Sequence, residues 1–274
     1  MKKLFAEIIF AATAGTLACS PAFASHEDFA EALAGNAALR ADAPPSLRSG
    51  FAAVAKFSRS LGNAVFDCDL DYFLEAPSAL NDAVADAALF RFSPRPPSVP
   101  AGTPPALAAE KFAELRLAEA EKAATGFPAY FSASARILEP VGDFASVAVV
   151  AHEFVGGAHG VTVCPCLSFD LAAGTRIALA DVFKKDFERP LETLLAAHDS
   201  REGRRPDGVF PDPFATENFL ICADGLRFVY SPYEIDCYAA GVIVIFVPYA
   251  ELSALLRDDF RERLEHGSRP RRGE

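Results

Sequence analysis

The sequence predicts an α+β protein with a mainly antiparallel sheet and helices packed on one side of it. Helix-forming segments dominate up to about residue 124, and apolar residues then alternate with polar ones in short segments joined by glycine turns. Sequential hairpins beside separate helices are typical of this class. Hydrophobic residues make up 51% of the 274 residues, which is enough for a substantial core.

The first residues have the pattern of a secretory signal peptide, which we place at residues 1–24. Two lysines precede an apolar stretch over residues 4–17, and an Ala-x-Ala cleavage site ends at Ala24. This stretch is shorter than the roughly 20 residues that a membrane span needs. Lipid attachment at Cys19 is less favoured, because the preceding leucine lies one place too near. We expect an exported protein, periplasmic or extracellular, with no transmembrane segment after signal removal.

Charge narrows the classes of partner. The net charge is -11 and the isoelectric point is about 5.0, whereas nucleic-acid binding needs clustered Lys and Arg. The basic tail, residues 266–274, is too short to reverse this balance. We therefore expect no nucleic-acid partner, and a cationic partner would associate faster with such a surface.

The N-terminal part is predicted as helices followed by strands. Residues 25–63 are a poorly defined helical segment, with alanine-rich helices over 26–39 and 46–61. An N-terminal α+β half over 64–155 follows. In that half we predict strands over 64–70, 130–138 and 144–154 and helices over 78–90 and 107–124.

The C-terminal half, residues 156–265, is predicted as hairpins between helices. Asp224-Gly225 is a strong turn signal for one hairpin, and Asp181 can cap a helix. Glycines allow the turns because they tolerate positive φ and close backbone approach. We expect strands over 160–171, 176–179, 218–222, 226–230 and 242–247, helices over 181–198 and 249–264, and structural turns at Gly156, Gly157, Gly160, Gly225 and Gly241.

Cysteine use follows from the predicted compartment. Of six cysteines, removal of Cys19 with the signal peptide leaves five, so at least one thiol stays free or pairs between chains. Cys222 and Cys237 are a candidate disulfide, which would stabilise by about 3 kcal/mol in the chain-entropy model. Cys164 and Cys166 share a strand face, and either could meet Cys68.

The segment from Phe154 to about Leu256 carries a recognisable order of motifs. They are Gly156-Gly157-Ala158-His159-Gly160, Asp170-Leu171 with Gly174, Leu179 with Asp181 and Phe183, Asn218-Phe219, Gly225-Leu226 with Phe228, Tyr233-Glu234-Ile235, Tyr238-Ala239 with Gly241, and Pro248-Tyr249 with Leu252. In this order and spacing the chain resembles the RsiV-like extracellular domain family, named for a membrane anti-sigma factor that senses lysozyme. A similar domain of unknown function stands beside the catalytic domain of some peptidoglycan deacetylases.

The resemblance implies a binding module rather than either complete protein. The sequence has no sigma-binding cytoplasmic segment, no anchor after the signal peptide and no appended deacetylase domain. A lysozyme-like protein or a peptidoglycan component is the partner that the family implies. We expect a non-catalytic module of the cell envelope; a structural envelope role is an alternative.

Four residues of the motifs are candidate binding residues. His159 lies in a glycine turn, where it could contact a ligand or hydrogen-bond the turn. Tyr233, Glu234 and Tyr238 lie in an irregular loop before an apolar strand. Tyrosines suit binding surfaces because they combine an apolar body with a polar tip, although packing of the loop would also account for them.

Two chemical alternatives use residues near the same turn. His152, His159, Cys164 and Cys166 offer nitrogen and sulfur ligands that zinc or copper would accept, but their spacing matches no established metal motif. We therefore expect no metal and no cofactor.

A secreted hydrolase acting on cell-wall material is the second chemical alternative. Ser168, His152 and Asp170 contain the residue types of a catalytic triad, but no nucleophile-elbow sequence surrounds a serine. We therefore expect no catalytic residues.

Overall fold

The computed structural model describes residues 52–123, 127–199 and 209–266. The predicted signal peptide, the helix over 26–39 and the tail after residue 266 lie outside these ranges. Within them, no helix has the length and apolar character needed to cross a bilayer.

A large sheet of seven strands forms one half of the fold. Its order is β1-β2-β3-β4-β6-β7, with β5 beside the far end of β4. Every pair is antiparallel except β2 with β3, whose connection contains two helices. The strands are β1 Ala52–Leu61, β2 Ala64–Phe73, β3 Ala129–Ile137, β4 Phe144–Phe154, β5 Val161–Val163, β6 Cys166–Asp170 and β7 Thr175–Arg176.

A small antiparallel sheet of three strands, in the order β10-β9-β8, follows along the chain. A short 3-10 turn, Tyr238–Ala240, precedes its last strand. The strands are β8 Phe219–Ile221, β9 Gly225–Tyr230 and β10 Ile243–Pro248, and the helices of the chain are α1 Ser78–Ala88, α2 Pro105–Ala123, α3 Leu179–Val182, α4 Glu188–Ala197, α5 Tyr249–Leu252 and α6 Asp258–His266.

The two sheets stack because β4 is apolar on both faces. Val147 and Val149 point into a core with α1 and α2, while Ala148 and Val150 point into a second cluster shared with the small sheet. Strands buried on both faces read as continuous apolar runs rather than alternating ones. The apolar run around Val150 therefore lies in the middle layer of the fold, between α1 and α2 on one side and the small sheet on the other.

The opposite face of the small sheet forms a third cluster with the C-terminal helices. Phe219, Phe228 and Val247 pack there against residues of α3, α4, α5 and α6. Helices thus cover one face of each sheet, and the predicted α+β class with mostly antiparallel strands is confirmed. The large sheet continues past residue 156, since β5, β6 and β7 lie in it.

The helix predicted over 46–61 is wrong where the structure describes it, since residues 52–61 form β1. This strand pairs with β2 along its whole length, and Phe57 stacks on Phe66 at 6.1 Å between ring centroids. Alanine favours a helix only weakly, and pairing with a neighbouring strand overrides that preference.

The strand predicted over 160–171 is divided into β5 and β6 at Pro165, which has no amide hydrogen for a strand ladder. Asn218 holds this break in place. Its Nδ2 donates to the carbonyls of Cys164 and Val229, and its Oδ1 accepts the amide of Cys166. One side chain therefore ties the interruption in the large sheet to the small sheet.

The predicted disulfide between Cys222 and Cys237 is absent, and all five described cysteines are free thiols. Cys222 is buried in the cluster between the sheets, whereas Cys237 is exposed on the loop before β10. Cys68 lies in the helix-side core, away from the cluster that contains Cys164 and Cys166. The pairings with Cys68 are therefore wrong as well.

Candidate functional site

The structure brings three of the four predicted binding residues into one aromatic cluster. His159, in the loop after β4, stacks on Tyr238 with 4.1 Å between ring centroids and 19° between planes. Tyr233 lies 5.6 Å from Tyr238 and 6.3 Å from His159 by the same measure. Offset stacking of this kind contributes about 0.5–1.5 kcal/mol per pair beyond burial. The cluster joins loops that are over 70 residues apart in sequence.

Hydrogen bonds orient the imidazole within the cluster. Nδ1 of His159 donates to the carbonyl oxygen of Gly160 at 2.8 Å, because a carbonyl can only accept. In the neutral ring, Nε2 is then the acceptor, and the Tyr233 hydroxyl donates to it at 3.2 Å. The turn thus presents the ring in one orientation and one tautomer.

Tyr233 is exposed and conformationally strained. Its side chain is 61% exposed and its φ is +75°, a region that L-residues other than glycine rarely adopt. Its amide donates to the carbonyl of Asp236 at 3.1 Å. Such outliers cost about 1–3 kcal/mol and concentrate at functional sites.

Glu234 holds the turn that strains its neighbour. Its carboxylate accepts the backbone amide of Ser231 at 2.6 Å, and its own amide donates back to the Ser231 carbonyl at 3.1 Å. Glu234 is exposed and has no cationic partner among the described residues. A negative charge therefore stands at the rim of the cluster.

The predicted turn glycines serve two geometric purposes. Gly156, Gly157 and Gly241 have positive φ. Gly160 lies so close to the His152 ring, and Gly225 to the backbone of β10, that a Cβ at either position would overlap those atoms. Gly160 therefore places the loop of His159 directly on the face of the large sheet that α1 and α2 do not cover.

That face carries a polar row that crosses four strands in register. Asp67 lies beside Ser132, Ser132 beside His152, and His152 beside Thr162. Nδ1 of His152 and the Thr162 hydroxyl are 2.8 Å apart. Burial lowers the pKa of His152. The row therefore carries a neutral imidazole at ordinary pH.

Tyr130 borders this row and hydrogen-bonds its carboxylate. Its hydroxyl donates to Asp67 at 3.1 Å, and its ring lies 5.8 Å from that of His152. Burial, together with the charge of Asp67, raises the pKa of Tyr130 to about 12. The phenol therefore stays protonated and acts as a donor at any physiological pH.

Exposed apolar side chains border the aromatic cluster. Phe127 is 64% exposed, Val155 51% and Val161 54%, and the Phe127 ring lies beside Gly156. We define the aromatic surface as the cluster together with the exposed apolar residues beside the Gly156 turn: His159, Tyr233, Tyr238, Phe127 and Val155. Exposed apolar groups with a polar rim are typical of interaction sites.

The residues of the hydrolase alternative are not brought together. Ser168 pairs with Ser146 in the sheet, whereas His152 pairs with Thr162. Positions 146 and 152 of one strand are about 20 Å apart. The Ser168 hydroxyl lies between the sheets, where it donates to the carbonyl of Phe219 at 3.1 Å, so its role there is structural.

The residues of the metal alternative are not brought together either. Among the described residues, no group of three or more His, Cys, Asp or Glu side chains is arranged to hold a metal ion. Cys164 and Cys166 are buried between the sheets, while His159 is turned to the aromatic cluster.

Sequence reasoning missed Tyr130, Asp67 and Phe127. A signal for the first two is present, because the segment Asp67-Cys68-Asp69-Leu70-Asp71 alternates acidic and apolar residues in a strand. That alternation predicts one polar face. Phe127 carries no such signal, since only the fold places it beside the Gly156 turn.

Residues 173–250, in the C-terminal half of the chain, match a family model described as "Protein of unknown function (DUF3298)". The match contains Tyr233 and Tyr238 but not His159. No curated protein is significantly similar in sequence.

Two solved structures of that family share the fold. A member from Bacteroides fragilis superposes with a TM-score of 0.62 at 20% identity, covering 78% of this chain and 96% of its own. A member from Pseudomonas aeruginosa superposes with a TM-score of 0.57 at 16% identity, covering 80% of this chain and 96% of its own. Residues 173–250 are therefore similar to DUF3298, and the fold similarity to the two solved structures extends over about four fifths of this chain.

Proposed function

We propose that this chain is an exported, non-catalytic binding module of the cell envelope, and that it recognises its partner through the aromatic surface. The observation that carries the proposal is Tyr233, which is 61% exposed at a φ of +75°. Packing does not require an exposed tyrosine to adopt a strained backbone. Recognition of a partner does account for that cost.

The chemistry of the surface favours a protein partner with positive charge. Tyrosine and histidine rings supply rigid contact area, and tyrosine is enriched among the residues that dominate binding energy. Glu234 adds a negative charge at the rim that is paired with no cation in the described part of the chain, and the whole chain carries -11. A basic protein would be steered toward this molecule and would lose that advantage as salt rises.

The resemblance to the RsiV-like extracellular domain family supports a lysozyme-like protein as that partner. The motifs that carry the resemblance include His159, Tyr233 and Tyr238, which the fold places in contact. A lysozyme is small and strongly basic, so it also satisfies the charge argument. Export, predicted from the first 24 residues, would put the two proteins in the same compartment.

Calorimetric titration with purified lysozyme tests the proposal. We expect binding to the full mature chain that weakens from low to moderate salt. Tyr233→Ala and Tyr238→Ala should each weaken the affinity about tenfold or more. Phe92→Ala is a matched control, because Phe92 is an aromatic residue outside the surface that is 36% exposed. The affinity of this variant for lysozyme should stay within about twofold of that of the unsubstituted protein.

Three other results would point to a different partner or to catalysis. Absence of heat at both salt concentrations would contradict a lysozyme-like partner. Binding of soluble peptidoglycan fragments that depends on Tyr238 would transfer the surface to a cell-wall component. Turnover of chromogenic esters or glycans by the purified chain would contradict the non-catalytic role.

A further inference from the structure

A cleft lies at the opposite end of β4 from the aromatic surface. It is a cleft of about 160 Å³ between the β6–β7 turn, the start of α3 and the helix α6. Its walls include Phe144, Asp170, Arg176, Asp181, Arg257 and Arg263, and we call it the arginine cleft. Phe144 begins β4 and Phe154 ends it, so the two features are about 30 Å apart along one strand.

One arginine of the cleft is fixed by the fold. Arg263 lies over the Phe144 ring at 4.7 Å, its Nε donates to Asp143 at 3.1 Å, and its Nη1 is 2.7 Å from Asp170. These contacts lower the pKa of Asp170 and raise that of Arg263. The guanidinium is therefore a permanent cation held flat against an aromatic floor.

Each carboxylate of the cleft already accepts at least one hydrogen bond. Asp170 accepts from Arg263 and from the amide of Ala173. Asp181 accepts the amide of Ala178 at 2.9 Å. Both oxygens of Asp259 accept from Arg257 at 3.0 Å. The acceptors at the cleft are thus largely used within the protein.

The donors are not. Arg176 lines the cleft, is exposed, and has no hydrogen bond or ion pair with any described residue. Each guanidinium carries five N–H donors, and Arg257 and Arg263 each use two of their nitrogens in the contacts above. The cleft therefore presents N–H donors in excess of acceptors, and an acceptor-only group would complete it.

The size and charge of the cleft select among acceptor groups. Its volume equals about five water molecules at about 30 Å³ each, so one group the size of an amino-acid residue fits. Aspartates beside Arg257 and Arg263 disfavour a dianion such as phosphate. A single carboxylate matches the fork of a guanidinium in two parallel bonds. Phe144 and Phe260, stacked at 4.9 Å, are buried at the base of the cleft, so an aliphatic part of the ligand must be small.

We propose that the arginine cleft binds a single carboxylate carried by a small aliphatic body, with Arg176 as the residue that grips it. This binding is independent of the aromatic surface and would add a second ligand to the molecule. A free small acid and the carboxyl end of a short peptide share this chemistry.

Chemical-shift titration of the full mature chain tests the site. The probes are acetate, N-acetyl-alanine and alanyl-alanine, with the amides of the last two and inorganic phosphate for comparison. We expect the carboxylates to shift resonances of the cleft and their amides to bind about tenfold more weakly or not at all. Tighter binding of alanyl-alanine than of acetate would identify a peptide end as the source, and the reverse a free small acid.

Two variants separate Arg176 from general charge. Arg176→Gln should weaken carboxylate binding about tenfold or more, and it should fold normally because the side chain is exposed and without partners. Arg261→Gln removes an arginine of α6 that pairs with Asp258 outside the cleft, and it should leave affinity unchanged. Equal binding of acids and amides, no effect of Arg176→Gln, phosphate binding without carboxylate binding, or no binding of any probe would each overturn the proposal.

Discussion

The two ends of β4 are built in opposite ways. At the Phe154 end, rings of His159 and Tyr238 stack in loops whose backbone is strained and whose tips are exposed. At the Phe144 end, Arg263 is fastened by two aspartates and covers a buried ring. One end is held by a few contacts between loops, and the other by charged contacts to the sheet.

The two ends differ in how many of their polar groups remain available to a partner. Side chains that are already satisfied within the fold stabilise it and have little left to offer a partner, as Arg263 and Asp170 illustrate. Side chains that are left exposed, such as Tyr233 and Arg176, can gain contacts from a partner. We therefore expect substitutions at the first kind to change stability and those at the second kind to change binding.

The largest effect on stability should follow from adding a side chain where a loop touches the backbone of α6. Gly142 has a φ of +59°, and a Cβ there would overlap the carbonyl oxygen of Arg263. Gly142→Ala should therefore lower the free energy of unfolding by about 3 kcal/mol or more, measured by urea denaturation. Gly157→Ala is the control at the aromatic end, since its φ is +99° but open space surrounds it, and it should cost about 1 kcal/mol. Equal losses would contradict the contrast between the ends.

A smaller effect is expected from the ion pair of Arg263. Because the pKa of Asp170 is lowered below its ordinary value of 3.8, its contribution to stability is present above that pH. The contribution is lost as pH falls through the lower pKa of the folded state. Asp170→Asn should cost about 1 kcal/mol at pH 7, and the difference should shrink in denaturation curves recorded below about pH 4. A difference that is constant with pH would contradict the ion pair.

Tyr233→Gly should separate stability from binding. Glycine accepts positive φ without strain, so the free energy of unfolding should stay equal or rise by up to about 1 kcal/mol, while affinity for the partner falls about tenfold. Asp186→Gly is the matched control, because Asp186 also has a positive φ, 61°, but lies away from the surface. It should show the same stability change with unaltered affinity. A large loss of stability in Tyr233→Gly would instead assign the tyrosine a packing role.

Thiol reactivity gives the smallest but simplest contrast. Cys237 is the exposed thiol of the described residues, whereas burial raises the pKa of Cys68 to about 12 and also raises those of Cys164 and Cys166. A thiol reagent at pH 8 should therefore modify Cys237 first, and the buried cysteines only after unfolding. Peptide mapping that finds Cys237 joined to Cys222 would contradict the free thiols.

The sequence predicts single elements better than their assembly. The predicted bounds of β4 agree with the structure, because its long apolar run and flanking turns are local signals. Residues 52–61 were assigned to a helix because alanine content is also local, while the pairing of β1 with β2 is not. The stacking of two sheets likewise depends on which faces meet across β4, and composition does not specify that.

The same limit applies to the candidate site. Glycine and tyrosine motifs predict that His159, Tyr233 and Tyr238 matter, but their contact depends on a loop crossing from the other sheet. Arg176 was not singled out at all, since an isolated arginine after a turn carries no local signal. It stands out only once its neighbours are seen to be paired.

Hydrogen exchange with and without lysozyme reports where the partner lies on the chain, and therefore tests recognition through the aromatic surface. We expect slower amide exchange in residues 155–163 and 231–241 on binding, with the arginine cleft unchanged. Protection confined to other parts of the described chain, or protection that persists in Tyr233→Gly, would contradict recognition through the aromatic surface.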